Sequence, residues 1–304
     1  MAKQFTTRAS AAREADGVAR GVRVGTWDLF NLVGQGRLAA VYRARPAGAG
    51  DGRGASYAVK LLRRRWHRNQ AAIDCWRREA AVGREVSHPH LVSILSAHAQ
   101  QLPYYLVMPL LRGGALRRRL DPPLRPSVTM ALCYARQTAE ALGALHEKGW
   151  MHADVKPSNV FVSPEGHVTL MDLGFARRVD EERSTAGRVV LGTANYLAPE
   201  MITSVWAADI RSDIYSLGVM LFEMLSGRLP FTGRDLAEIV RRHKQTSPPE
   251  LRRLAPWLPV EASHLVRRML AKDPLRRPQT PCELVRQLAA LEIATCEDRQ
   301  PTIY

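Results

Sequence analysis

The patterning of apolar residues changes once along the chain, at Arg112–Gly114, and that change restricts the fold to two dissimilar parts. Before it, apolar residues come in short extended runs: WDLFNLVGQG, AAVYRARP, SYAVKLL, LVSIL and YYLVMPLL. Such runs read as strands, and the first two as a β-hairpin. The Gly-rich AGAGDGRGA reads as a loop, and AAIDCWRREAAVGREV as a helix set among the strands. After the change the patterns are long and helical: VTMALCYARQTAEALGALHEKG, IYSLGVMLFEMLSG, DLAEIVRRH and SHLVRRML. With 304 residues, each part is long enough to bury a core. The expected class is α+β: a disordered polar tail over 1–20, a strand-rich lobe over 21–111, a helical lobe over 112–294 and a tail over 295–304.

Charge narrows the partners less than it first suggests. Lys and Arg number 44 against 29 Asp and Glu, a net charge of +15. The cations fall in scattered clusters such as LLRRRWHR, LRRRL and LRRP, without interleaved aromatics, so no dedicated nucleic-acid binding is expected. The longest apolar stretch, IYSLGVMLFEML, is too short to span a membrane and carries a Glu. MAKQFTTRAS lacks an apolar signal core, and Cys75, Cys133, Cys282 and Cys296 show no metal-ligand spacing. Both readings fit a cytoplasmic, reducing location.

Two stretches carry chemistry. In MHADVKPSNVFV, Asp154, Lys156 and Asn159 are close enough for one loop to aim them at a single point. The acid can accept a proton, the cation can hold a phosphate and the amide can hold a metal ion. Read alone, Asp154 and Asn159 also fit a turn capped by side-chain hydrogen bonds. In LVGQGRLAAVYRA, Gly34 and Gly36 fall between two strands, where backbone N–H groups can approach phosphate oxygens unobstructed. No Gly-Lys-Ser/Thr follows, so this is not a Walker loop. Lys60 of AVK stands in the next strand, and a lysine buried there needs an anionic partner. Glu79, in the helix that follows, is the candidate; in isolation the two also read as unrelated surface charges.

Taken in order, GQGRLAAV, AVK, the helical Glu, HADVKPSN, DLG and APE resemble the eukaryotic-type serine/threonine protein kinases, including those of bacteria, over roughly residues 25–290. The resemblance implies a bilobal fold, with a small β-rich lobe ahead of a larger helical one. It implies transfer of the ATP γ-phosphoryl group to Ser or Thr of protein substrates, with Mg²⁺, and self-association for autophosphorylation. By it, Asp154 is the catalytic base, Lys156 steadies the γ-phosphate, and Asn159 and Asp172 hold metal. Lys60, paired with Glu79, contacts the α- and β-phosphates. Adenine lies against Val41, Ala58 and Phe161, with Met108 as gatekeeper and Pro109 and Leu111 pairing its edge. Glu200 pairs with Arg277, Asp213 ties the apolar helix to the catalytic loop, and Thr193 fits Ser/Thr specificity.

The chain departs from the family pattern at five of these positions. Ala39 replaces a third glycine, Pro109 a common acid, and Leu173 the Phe of DFG. Gly83 offers no side chain to an expected apolar stack, which implies a loosely held helix. Ala153 replaces the Arg that reads a phosphate on the activation loop, where Ser184 and Thr185 are candidate phosphosites and Arg177, Arg178 and Arg188 substitute cations. A pseudokinase scaffold would have lost Lys60, Asp154, Asn159 or Asp172, and all four remain. A small-molecule phosphotransferase would not need GTANYLAPE, which the family uses to dock peptides.

Overall fold

The computed structural model describes residues 18–49, 56–179, 194–203 and 208–297, grouped in two compact units. The first unit is a six-stranded antiparallel sheet with one helix. In chain order its elements are β1 (Val18–Val24), β2 (Trp27–Gln35), β3 (Ala39–Pro46), β4 (Tyr57–Leu62), α1 (Gln70–Glu85), β5 (Ser96–His98) and β6 (Tyr105–Pro109). The spatial order is β1-β2-β3-β4-β6-β5. Residues 18–20, read as tail, are the start of β1, where Val18 pairs with Asn31.

Register decides what each face of this sheet does. Tyr42 lies opposite Val59, and Val59 opposite Val107. With Val24, Leu29, Ala44 and Tyr105, these valines form a core against which Trp27, Tyr42, Tyr57 and Leu61 pack. The alternate residues take the other face. There Val41 lies opposite Lys60, and Ala58 opposite Met108. Val41, Ala58 and Met108, three of the residues expected around adenine, thus share one side of the sheet with Lys60.

Gly83 has the opposite effect from the one expected. A side chain there would collide with Ile94, whose N–H donates to Gly83 O at 3.3 Å. Ile94 is buried in the space the glycine leaves, and Val82 beside it is fully buried. The missing side chain brings α1 closer to the chain before β5 and does not loosen it.

The second unit holds β7 (Gly114–Ala115), α2 (Val128–Glu147), β8 (Trp150–Met151), β9 (Val160–Val162), β10 (Val168–Leu170), β11 (Arg177–Arg178) and α3 (Pro199–Thr203). Beyond these come α4 (Ile210–Ser226), α5 (Leu236–Gln245), α6 (Leu251–Leu254), α7 (Val260–Met269) and α8 (Pro281–Glu297). The helix α8 continues through 295–297, which the sequence reading gave to a tail. Residues 85–92 also cluster here and not with the strand-rich lobe. The cause is a parallel bridge, in which Val92 N–H donates to Leu170 O (2.9 Å) and Leu170 N–H to His90 O (2.8 Å).

The axis of this unit is α4, the apolar IYSLGVMLFEML stretch, buried from Ser212 to Leu225. Asp209 caps its first turn by accepting from Arg211 N–H at 2.8 Å, and Gly227 ends it at φ 74°. Buried on every side along this length, with Asp213 and Glu223 hydrogen-bonded inside, the helix is a core element of the unit. Among the described residues no helix is long and apolar enough to cross a membrane.

Candidate active site

The loop between β8 and β9 is shaped by a carboxylate from α4. Asp213, fully buried, accepts from His152 N–H at 2.6 Å and Ala153 N–H at 2.8 Å. Two successive N–H groups converge on one side chain because Ala153 is left-handed, at φ 62°. That conformation costs an alanine about 1–2 kcal/mol, which two charge-assisted hydrogen bonds offset. Burial raises the Asp213 pKa, against which His152 and the two N–H bonds act. His152 Nδ1 accepts from Asp154 N–H at 3.2 Å, while its Nε2 lies 3.0 Å from Met171 O. The loop is thereby fixed on both sides of Asp154.

Asp154 is 5% exposed. Lys156 Nζ donates to its two oxygens at 2.6 and 2.9 Å. Asn159 Nδ2 donates to Oδ2 at 2.8 Å and to the Asp154 backbone carbonyl at 2.9 Å. Both amide hydrogens are then committed to Asp154, which leaves Asn159 Oδ1 as the amide atom for a cation. Burial pushes the Asp154 pKa up, Lys156 opposes the shift, and the charge of Asp172 adds to it. The two carboxylates are therefore close enough to repel. Asp172 is itself left-handed (φ 68°) and immediately precedes the turn Leu173–Phe175, in which Leu173 is fully buried in place of Phe. Two strained residues, Ala153 and Asp172, bracket this acidic group. The Asp172 carboxylate and the Asn159 amide oxygen offer hard oxygen donors suited to a divalent cation.

In the first unit, Lys60 Nζ donates to both oxygens of Glu79, at 2.6 and 2.7 Å. Trp76, which the sequence reading did not single out, lies 5.7 Å from the ammonium by its ring centroid. Gly34 and Gly36 have no left-handed backbone, and a Cβ on either would meet nothing within the chain closer than 3.7 Å. The chain itself does not demand glycine at these positions, whereas a group approaching the backbone would.

The tip of that loop is tied down. Arg63 Nη1 donates to Gly36 O at 3.2 Å, and Arg37 O accepts from Arg65 Nη2 (2.8 Å) and Trp66 Nε1 (2.9 Å). Arg63 N–H donates to Leu38 O at 2.9 Å. The LLRRRWHR cluster, read from sequence as scattered charge, is in part a clamp on the glycine loop. Its signal was the Trp within a basic run.

Val41, Ala58 and Met108 lie on the Lys60 face, Pro109 ends β6 and Leu111 closes the first unit. Phe161 belongs to the second unit, at the centre of β9 opposite Thr169 and Ala115. Also in the second unit, Glu200 meets Arg277 at 2.6 Å, and Tyr196 and Arg117 both donate to Glu223 of α4, at 2.6 and 2.7 Å. Thr193, Ser184, Thr185 and Arg188 lie outside the described residues.

The protein kinase domain family matches residues 27–288. The serine/threonine-protein kinase PrkC of Bacillus subtilis is 31% identical over 258 residues, 84% of this chain and 39% of the relative. Serine/threonine-protein kinase pkn2 of Myxococcus xanthus is 36% identical over 279 residues, 89% of this chain and 33% of the relative. Serine/threonine-protein kinase PknA of Mycobacterium tuberculosis is 34% identical over 259 residues, 83% of this chain and 58% of the relative. The chain matches only 33% to 58% of the length of these three relatives.

Proposed function

The chain belongs to the protein kinase domain family, and on that premise we propose that it is a serine/threonine protein kinase which moves the ATP γ-phosphoryl group to hydroxyls of protein substrates. The observation that carries the reading is the Asp154 carboxylate, buried, raised in pKa and oriented by both Lys156 and Asn159.

A raised pKa makes Asp154 a better proton acceptor than an exposed aspartate. It takes the proton of the incoming Ser or Thr hydroxyl, whose oxygen forms the new P–O bond as the bond to the nucleotide breaks. Lys156, on the same carboxylate, keeps it oriented and supplies positive charge for the phosphoryl group. Lys60, held straight by Glu79, supplies a cation to the nucleotide phosphates, and the Gly34–Gly36 backbone covers them. Val41, Ala58 and Phe161 offer apolar surface to adenine, with Pro109 O and Leu111 N–H for its polar edge.

Asn159 Oδ1 and Asp172 would hold a divalent cation, read as Mg²⁺ because a small hard ion needs few protein oxygens. When bound, that ion neutralises the charge that builds up on the phosphates. We further assign the chain to the cytoplasm, where thiols stay reduced, and infer that it self-associates to autophosphorylate.

The test is incubation of the purified chain with labelled ATP and a generic protein substrate, in Mg²⁺, Mn²⁺ or Ca²⁺, beside Asp172→Asn, followed by phosphosite mapping. Label on Ser and Thr that needs Asp172 and is greatest in Mg²⁺ is expected. Label transfer that survives Asp172→Asn would reject the assignment.

A further inference from the structure

A cavity of about 1030 Å³ opens on the second unit at α6, α7 and the turn before Arg277, and none of its lining residues belongs to the catalytic loop. Six cations line it, Arg252, Arg253, Arg267, Arg268, Lys272 and Arg276, against two carboxylates, Glu250 and Asp273. Part of that charge is answered locally. Arg253 meets Glu250 at 2.9 Å, and Arg268 meets Glu283 at 3.1 Å. Arg276 is 3.8 Å from Asp273 with 81% of its side chain exposed, a loose pairing. Among the described residues Arg252 and Arg267 have no carboxylate partner, and both are exposed.

Cations gathered on one concave wall add their potentials and concentrate anions there. The same wall is also apolar. Leu251, Val266 and Leu270 are buried in its lining, and Val260 is exposed on it. Leu275, next to Arg276, and Trp257, in the α6–α7 connection, are 73% and 70% exposed. Exposed apolar side chains beside uncompensated cations call for a ligand that brings both carboxylate and hydrocarbon.

We propose that this cavity docks an acidic segment with interleaved apolar residues, carried by a protein partner. A second copy of this chain is a poor source of such a segment, because its 29 acidic residues are outnumbered by 44 cations. A nucleic-acid duplex is disfavoured by shape and by charge. Its regular phosphate backbone needs a continuous basic track, and here a concave wall is interrupted by Glu250 and Asp273.

Fluorescence anisotropy on the full chain, without nucleotide, tests this with a short fluorescein-labelled peptide alternating Glu and Leu. Saturable binding is expected, weakened about tenfold in Arg252→Glu/Arg267→Glu and weakened in wild type by added salt. Arg252→Gln/Arg267→Gln should fall between, which guards against a reversal that disturbs folding. Both variants should phosphorylate a short peptide lacking the acidic tract as wild type does. Absence of binding, or equal binding by wild type and both variants, overturns the proposal. A single-stranded oligonucleotide that displaces the peptide more effectively than unlabelled peptide also overturns it, in favour of nucleic acid. Because binding is read without ATP, its outcome is independent of whether the chain transfers phosphate.

Discussion

Arg277 closes on Glu200 with two parallel hydrogen bonds, Nη1 to Oε1 at 2.6 Å and Nη2 to Oε2 at 2.8 Å. Its other three N–H groups are also used, on the carbonyls of Ala271 (2.8 Å), Arg211 (2.9 Å) and Lys272 (3.2 Å). Ser212 adds a bond to Glu200 Oε1 at 2.6 Å, and the guanidinium lies 4.8 Å from the Tyr215 ring centroid. These partners hold Glu200 below its usual pKa despite the opposing effect of burial. Arg277→Ala strands a buried carboxylate and three carbonyls, so a loss of about 3–5 kcal/mol is expected. Differential scanning fluorimetry should show a melting point lower by roughly 10 °C; an unchanged midpoint would remove the pair from the stability account.

Lys60→Met and Asp172→Asn should each lower kcat on the order of 10²–10³-fold, the usual loss when a charge aimed at the transition state is removed. Steady-state assays on a generic protein substrate check this, with melting curves confirming that both variants fold. Near wild-type turnover in either would withdraw that residue from the mechanism.

The clamp on the glycine loop predicts a different kinetic signature. Trp66→Ala and Arg65→Ala each remove one hydrogen bond to Arg37 O, about 0.5–1.5 kcal/mol apiece. The double variant should raise KM for ATP roughly tenfold with a smaller change in kcat, because nucleotide then has to order the loop. Equal KM values would show that the loop is held without these residues.

His243 is fully buried, with Nδ1 3.0 Å from the Tyr215 hydroxyl and its ring 4.8 Å from that of Phe231. Burial, then the Lys272 charge, lower its pKa from 6.5 to about 4, against a backbone bond at Asn195. Above pH 6.5 the imidazole is neutral folded or unfolded and carries no penalty. Below it the unfolded chain gains a proton that the folded one refuses, so stability falls until about pH 4. The full loss is roughly 3 kcal/mol. Melting points between pH 7 and 4 should therefore fall more steeply for wild type than for His243→Gln, and parallel curves would contradict this.

Ala153 stands where a phosphate-reading Arg is expected, and Arg178 is already engaged with Glu85 (3.4 Å) and the Trp150 ring (4.9 Å). Phosphorylation at Ser184 or Thr185 should accordingly change activity by less than about tenfold. Phosphatase treatment beside Ser184→Ala/Thr185→Ala measures it. A hundredfold loss would mean that another basic pocket reads the phosphate.

What the sequence made legible was whatever is encoded by local spacing. The switch at Arg112–Gly114, the Lys60–Glu79 pair and the Asp154–Asn159 loop are all short-range patterns or one strand-to-helix step. The tie from Asp213 to the loop was expected from family resemblance, but the left-handed Ala153 that lets it take two N–H groups was not. The clamp was illegible because its bonds reach 27 to 29 residues back along the chain. Residues 85–92 were assigned by contiguity with α1, whereas one bridge to Leu170 decides where they pack. The burial of His243 is set by Phe231 and by Tyr215 of α4, which no pattern within α5 could report.

Gly83 has a mechanical consequence. With Ile94 seated in its notch, α1 cannot slide or roll on its own without driving its backbone into that side chain. Gly83 and Ile94 thus couple α1 to the chain just before β5, within the unit that holds Glu79 and Lys60. An effector that sets the reach of Glu79 toward Lys60 would have to move α1 together with Ile94, and pressure on the surface around Ile94 would be felt at the ion pair without touching either of its charges.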